Sequence, residues 1–317
     1  MKAAVLSTLG EAPQFGTFEE PSLHDGETLV KVCAAAIKPI DLAIASGTHY
    51  ASPRTLPVIC GIDGVGFLTD GTRVYFSSMR APFGAMAEHA PAAWYVPVPN
   101  EVDSATAAAL VNPGIAALLP LVWHGKLQKG ETALILGATG AAGQVAVQTA
   151  RSLGAGRIIA AGRRQTILQG LQADTTIDLN QESEALVQAF SDAGTPDVIV
   201  DYLWGPPTEA LIKALTGAGH VAVGKSGQNI RLVSVGGMAG PNITLPSAAL
   251  RSSRLHIMGS GTSNMPPLGV LREIVGNLFM KAAVGEVKIA TEKMKLSEVA
   301  QAWVKAATAE QRIVLTI

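Results

Sequence analysis

A chain of 317 residues is longer than one ordinary hydrophobic core supports, so two domains are expected. A net charge of −1 gives no electrostatic case for nucleic acid or an anionic membrane as partner. Two cysteines, Cys33 and Cys60, cannot build a disulfide framework or a four-cysteine zinc site, and a reducing cytoplasm is the compartment they fit.

Met1-Lys2-Ala3-Ala4-Val5-Leu6 reads as an edge strand and lacks the longer apolar stretch and small-residue cleavage site of a secretory signal. Strand-like runs at 28–32, 64–68, 72–76 and 94–98 are punctuated by Gly26, Pro39, Pro53, Pro57, Gly71, Pro82, Pro97 and Pro99, which predicts a mostly-β domain. From Asp103 the texture turns to alanine-rich helix. Residues 104–123 carry no charge and are long enough to span a bilayer, but Asn112, Pro113, Gly114 and Pro120 interrupt them and alanine supplies much of their apolarity. A buried helix of a soluble protein is the better expectation.

From Thr132, strands at 132–136, 157–161, 176–179, 197–202, 232–235 and 255–258 alternate with helices around 144–153, 182–192 and 208–215. Such alternation predicts a parallel sheet with right-handed crossovers. The segment 219–235 parses less cleanly. Two strand-like runs, 220–223 and 232–235, flank Gly224-Lys225-Ser226-Gly227, and only the second leads into a turn of the kind expected at a cofactor, Gly236-Gly237. The first fits an extra hairpin or the exit of a helix. A loop at 259–267, a helix from Leu268 and a terminal strand at 312–317 follow, and that last strand is expected to return to the β domain.

The motif with most chemical content is Leu136-Gly137-Ala138-Thr139-Gly140-Ala141-Ala142-Gly143, where an apolar strand runs into a glycine turn and then a helix. Small residues at this spacing permit a tight turn, close approach of a pyrophosphate and tight helix–strand packing, with the helix N-terminus facing the anion. The next strand ends in Gly162-Arg163-Arg164, where such folds meet the adenosine ribose. An acid there would favour a free 2′-hydroxyl; two arginines suit a 2′-phosphate and hence NADP(H), unless they only open the next helix as solvated residues.

The ordered landmarks are Lys38-Pro39-Ile40-Asp41 with Ser46-Gly47, Gly61-Ile62-Asp63-Gly64-Val65-Gly66, Gly84-Ala85-Met86-Ala87-Glu88-His89, the glycine turn, Asp197-Val198-Ile199-Val200-Asp201-Tyr202 and Ser234-Val235-Gly236-Gly237. In this order and spacing the chain resembles the zinc-free quinone oxidoreductase branch of the medium-chain dehydrogenase/reductase superfamily over nearly its whole length. The resemblance implies an α/β chain, with a Rossmann doubly wound parallel sheet at 116–287 binding NADP(H). It implies a GroES-like, mostly-β catalytic domain at 1–115, completed by about 288–317. Zinc-dependent relatives carry Cys near the start of the first block and Gly-His-Glu in the second. Here those positions read Lys38 and Gly61-Ile62-Asp63, and neither lysine nor isoleucine supplies a metal ligand. Cys60 beside them reads as a packed small hydrophobe.

The implied activity is NADPH-dependent reduction of a quinone or an α,β-unsaturated carbonyl, by hydride transfer without zinc, in an interdomain cleft. Around the cofactor the resemblance places Ala138, Thr139, Gly140, Ala141 and Gly143 at the pyrophosphate and Gly162, Arg163 and Arg164 at the 2′-phosphate. Val235, Gly236 and Gly237 would lie under the nicotinamide. Asn112 would lie near the nicotinamide ribose or, alternatively, cap a helix before Pro113. Ala116 and Leu179 stand where many relatives have Thr and Tyr. Tyr50 is the candidate proton donor or cleft wall, and Met238 and Ser260 are candidate substrate contacts. Lys38 would orient an acceptor oxygen or pair with Asp63 or Asp41, and Asp41 reads as a general base or, preferentially, a buried structural acid. A homodimer, or further a tetramer, is expected through 255–258 as an open sheet edge. Two other readings remain: an NADPH-binding sensor or crystallin-like protein with little turnover, and a zinc alcohol dehydrogenase with unusual ligands.

Overall fold

A computed structural model describes every residue except Met79, residues 218–228 and Ser252. The chain divides into two compact units, Met1–Asn112 with Arg272–Ile317, and Pro113–Leu271.

The first unit opens with β1 (Lys2–Leu6), β2 (Gln14–Thr17) and β3 (Thr28–Ala36), then helix α1 (Pro39–Ala45). Strands β4 (Val58–Ile59), β5 (Asp63–Phe67), β6 (Arg73–Ser77), β7 (His89–Ala92) and β8 (Trp94–Pro97) follow, before helix α2 (Ser104–Leu118). Contrary to expectation, β1 is no edge: it is the middle of a three-stranded sheet, β2-β1-β4, with antiparallel partners on both sides. The larger sheet is built on β3, whose register shifts between Val32 and Ala34. Its first half pairs with β7 and its later part with β5, so one long strand serves several partners.

Helix α2 continues into a π-helical turn, Leu119–His124. By length and composition Ser104–His124 could cross a membrane, yet Ala107, Ala108, Ala109, Leu110 and Val111 are wholly buried, as befits a core helix.

The second unit holds β9 (Thr132–Leu136), α3 (Ala141–Ser152), β10 (Arg157–Gly162), α4 (Gln165–Gly170), β11 (Thr175–Asp178) and α5 (Ser183–Ala193). It continues with β12 (Val198–Asp201), α6 (Gly205–Thr216), β13 (Ile230–Ser234), α7 (Ser247–Arg251) and β14 (Leu255–Gly259). All six strands are parallel, in the order β11-β10-β9-β12-β13-β14. The chain therefore winds outward from β9 one way, then the other from β12, which is the Rossmann doubly wound arrangement with its switch point between those strands. Every residue of β9 is buried, as a strand covered on both faces requires. The 220–223 run lies outside the described residues.

The chain then passes through α8 (Leu268–Ala283), β15 (Thr291–Lys295), α9 (Val299–Ala306) and β16 (Arg312–Thr316). Strand β16 pairs with β15 and with β3, and it completes the seven-stranded, GroES-like sheet of the first unit. The junction falls inside α8 rather than near residue 287, because Val275, Leu278 and Phe279 are already buried in the first unit, with the Phe279 ring 6.4 Å from Tyr75.

Candidate functional site

Within the second unit, the carboxyl ends of the strands gather most of the residues expected at a cofactor. Gly137 follows β9 with φ +92°, a left-handed backbone that favours glycine. A Cβ on Gly143 would lie 2.3 Å from the Gly137 carbonyl oxygen, so turn and helix touch backbone to backbone. Gly140 differs. Its φ is −76°, and a Cβ there would meet only the Gly137 oxygen at 3.4 Å, an ordinary contact. Nothing in the chain itself demands glycine at 140, whereas a phosphate seated on the turn would. Gly140 is the N-cap of α3 and offers no side chain to the helix, so the first amides, on Ala141, Ala142 and Gly143, lack intrahelical partners and face outward from its positive end. The Ala138 amide is not available in this way, because it donates to Ala161 O at 2.8 Å.

The turn is tied to the end of β10. Thr139 O accepts from Gln144 Nε2 at 3.2 Å and from Arg164 Nη2, and the Thr139 methyl occupies the space a Gly162 side chain would need. Arg163 is exposed and its side chain bonds to none of the described residues, while its carbonyl accepts from Asn180 Nδ2 at 2.8 Å. Leu179 belongs to the hydrophobic core of this unit.

Across the switch point, Asp201 at the end of β12 accepts from the Leu203 and Trp204 amides at 2.8 and 3.0 Å and from Thr208 Oγ1 at 2.7 Å. That bracing holds Trp204 at φ +53°, a strained value for a bulky residue. Gly236 is required by the same loop, since its Cβ would lie 2.9 Å from Tyr202 O; the protein's own backbone, rather than a ligand, accounts for this glycine. Val235 is half-buried with its amide on Asp201 O at 2.7 Å, Gly237 is exposed, and the Met238 side chain is 75% exposed. Ser260, following β14, is buried with its amide on Ser234 O at 2.8 Å.

Tyr202 was not among the expected site residues. Its hydroxyl donates to Ala116 O at 2.9 Å and lies 3.4 Å from Ala142 O, joining the switch point to the first turn of α3 and to α2. Burial pushes its pKa above the usual tyrosine value. Asn112 lies in the interior of α2, so the capping alternative is excluded; Pro113 is accommodated inside that helix. The Asn112 side chain is half-buried and makes no hydrogen bond to the described residues.

In the first unit two of the three expected catalytic residues, Lys38 and Asp41, belong to a closed cluster. Lys38 is fully buried, and its ammonium meets Ala36 O at 2.8 Å, Asp63 Oδ1 at 2.8 Å and Asp41 Oδ2 at 3.0 Å. Three acceptors match the three N–H donors of an ammonium. Asp41 caps α1 by accepting the Lys38 amide at 2.9 Å, and its other oxygen accepts the Ile62 amide at 3.2 Å. Tyr75, whose part the sequence concealed, donates its hydroxyl to Asp63 Oδ2 at 3.0 Å. Burial disfavours the Lys38 ammonium, but the two carboxylates outweigh it and raise its pKa; for Asp63 burial prevails and raises the carboxyl despite Lys38. Arg312, largely buried at the start of β16, adds a second cation, with its pKa lowered by burial against the pull of Asp41 and Asp63. Lys38 therefore pairs with both acids and retains no donor for an acceptor oxygen. Asp41 likewise has both oxygens engaged.

The same geometry bears on metal. Lys38 and Ile62 stand where two ligands would be needed, and they are an engaged ammonium and a hydrocarbon. Among the described residues no group of three or more His, Cys, Asp or Glu side chains could hold an ion. Tyr50 stands apart on the loop after α1, 75% exposed, its ring 4.1 Å from that of His49.

No family model matches the chain. A quinone oxidoreductase of Sus scrofa is 34% identical over 146 residues, a stretch covering 42% of this chain and 44% of that protein, so the match spans less than half the relative's length. A probable NADPH-dependent quinone reductase of Emericella nidulans is 26% identical across 99% of both chains. Among solved structures, a mycobacterial quinone oxidoreductase superposes with a TM-score of 0.87 over 100% of each chain at 21% identity, a likeness that establishes the fold. The fold over the full length, the Rossmann turn at its switch point and these sequence relatives support the quinone oxidoreductase branch of the medium-chain dehydrogenase/reductase superfamily.

Proposed function

We propose that this protein binds NADP(H) at the carboxyl ends of the parallel sheet and reduces quinones or α,β-unsaturated carbonyls by zinc-independent hydride transfer. Gly140 carries the reading: it is a glycine the fold does not need, placed between the left-handed turn at Gly137 and the unpartnered amides of α3. Those amides, on Ala141, Ala142 and Gly143, would hold the pyrophosphate, and Arg163 with Arg164 the 2′-phosphate. When bound, NADPH supplies a hydride from its nicotinamide, and a quinone that takes it up with one proton leaves as the hydroquinone. Lys38 and Asp41 fix α1 against the 61–63 segment and exchange no proton with the acceptor. The exposed Tyr50 hydroxyl is the candidate that remains able to donate one. With no metal ligand set among the described residues to polarise the substrate, an acceptor that is already electrophilic suits the site. A homodimer would form through β14, which among the described residues pairs with β13 alone.

An acceptor panel run with NADPH and NADH, on wild type and on Arg163→Ala/Arg164→Ala, tests this. The expected result is acceptor-dependent NADPH oxidation in wild type and lost NADPH preference with retained NADH use in the variant. Tight NADPH binding without oxidation by any quinone or enal would instead support an NADPH-binding sensor or crystallin-like protein, which the full engagement of Lys38 and Asp41 favours.

A further inference from the structure

The end of β10 meets the end of β11 in register, with Gly162 paired to Asp178 and the Leu179 amide donating to Gly162 O at 3.0 Å. Paired residues of neighbouring parallel strands turn their side chains to one face, about 4.8 Å apart. At Gly162 that face is the one filled by the Thr139 methyl of the glycine turn, so Asp178 stands on the side of the turn, next to Arg163. Asn180 locks the arrangement. Its Nδ2 donates to Arg163 O at 2.8 Å and to Asp178 Oδ1 at 2.9 Å, and its backbone amide also donates to Asp178 Oδ1 at 2.9 Å. Gln181 Nε2 holds the Asp178 carbonyl at 2.7 Å. Only one carboxylate oxygen is thereby used. Asp178 Oδ2 makes no hydrogen bond or ion pair with the described residues, and neither does the Arg163 guanidinium. A half-buried acid and an exposed base, each unengaged, therefore flank the place where an adenosine ribose would lie.

The two charges make opposite demands of a guest. A carboxylate oxygen only accepts hydrogen bonds, so it takes a ribose 2′-hydroxyl as donor and repels the negative oxygens of a 2′-phosphate; a guanidinium does the reverse. We propose, resting on the cofactor reading above, that Asp178 is a specificity-determining residue of that site. Its Oδ2 accepts the 2′-hydroxyl of NAD(H) and opposes the 2′-phosphate of NADP(H). Arg163 and Asp178 together then set the choice, and the site takes both nucleotides with a narrower preference for NADPH than two arginines alone would give.

Fluorescence titration of the full chain with NADPH and with NADH, in the absence of acceptor, tests this. Asp178→Asn keeps an oxygen for the Asn180 donors and removes only the charge. NADPH should then bind more tightly and NADH more weakly, moving the ratio of their affinities about tenfold towards NADPH. Asp178→Ser, which removes the charge with a shorter side chain, should move the ratio the same way and guards against a fault peculiar to the amide. Raising the ionic strength from about 0.02 M to about 0.5 M should shrink the NADPH gain of Asp178→Asn, because salt screens the repulsion in wild type. A ratio unmoved in both variants overturns the proposal. So does a weakening of NADPH and NADH by one common factor, which is what a merely structural turn would give. If wild type binds both nucleotides, either result removes the role of Asp178 alone; if wild type binds neither, the cofactor reading falls with it.

Discussion

The carboxyl ends of β9 and β10 and the cluster around Lys38 both gather polar residues, but they differ in what the fold leaves unused. At the sheet ends, the first amides of α3 have no helical partner, Arg163 projects into solvent and Gly140 has room for a side chain it does not carry. Around Lys38 each donor meets an acceptor within 3.0 Å, and both oxygens of Asp41 are taken. A buried charge with a full complement of partners holds a structure together, while an unengaged group beside a gap is available to a ligand. Polarity and burial alone do not separate the two cases.

Lys38→Met should have the largest effect. It leaves Asp41 and Asp63 buried with Arg312 as the remaining nearby cation among the described residues, and breaking such a pair costs about 3–5 kcal/mol, read as a shift in urea denaturation. A loss below about 1 kcal/mol, the size of an exposed ion pair, would remove the distinction drawn between the two regions. The glycines of the turn come next. Gly143→Ala forces a Cβ to within 2.3 Å of Gly137 O and should cost about 1–3 kcal/mol of stability together with NADPH binding. Gly140→Ala meets only a 3.4 Å contact, so stability should change by no more than about 0.5 kcal/mol while NADPH affinity falls about tenfold. Melting curves and fluorescence titration on the two variants check this, and equal behaviour would mean that Gly140 serves the turn and not a ligand.

How much of this was legible beforehand follows from where each partner lies along the chain. The buried parallel strands declare themselves as unbroken apolar runs, and 132–136 coincides with β9 from end to end. Strand β15, Thr-Glu-Lys-Met-Lys, has no apolar run and is held in place by β16, so nothing local announces it. Helix α1 carries its signals locally, with Pro39 at its first position and Asp41 three residues past the cap. Asp63 and Asp41 were legible as alternative partners of Lys38, but its sharing between both at once was not, because the second acid comes from β5, 25 residues away. Tyr75 and Tyr202 are likewise single hydroxyls in apolar surroundings whose partners come from distant strands and helices. The capping alternative for Asn112 fails because a proline after it suggests a helix start, and here the helix simply continues.

The two arginines sharpen the comparison within the proposed cofactor groove itself. Arg164 is partly engaged, with its guanidinium on Thr139 O, whereas Arg163 is not. Arg163→Ala should therefore weaken NADPH by about tenfold, the scale of one lost charge-assisted contact, and leave NADH unchanged. Arg164→Ala should weaken both, by a smaller factor for NADH, because it also frees the turn. Titration of each single variant with each nucleotide separates the outcomes, and identical profiles would show that the Thr139 tie has no role in binding.

The smallest effect concerns His124, at the end of the π-helical turn. Its Nε2 is buried without a partner among the described residues, and burial lowers its pKa against a hydrogen bond involving the Asn264 backbone. A lowered pKa means that the unfolded chain takes up the proton first. The stability contribution is then complete above about pH 6.5, the unfolded value, and declines as pH falls from there through the folded pKa. Melting temperature should drop by a few degrees at most between pH 7.5 and 5.5, on the scale of about 2–4 °C per kcal/mol for a domain of this size. His124→Gln should flatten that slope. Because His124 stands in the second unit, a slope unchanged by the variant would return the acid sensitivity to other groups. It would also leave this histidine matched by its surroundings, as the ammonium of Lys38 is by its own.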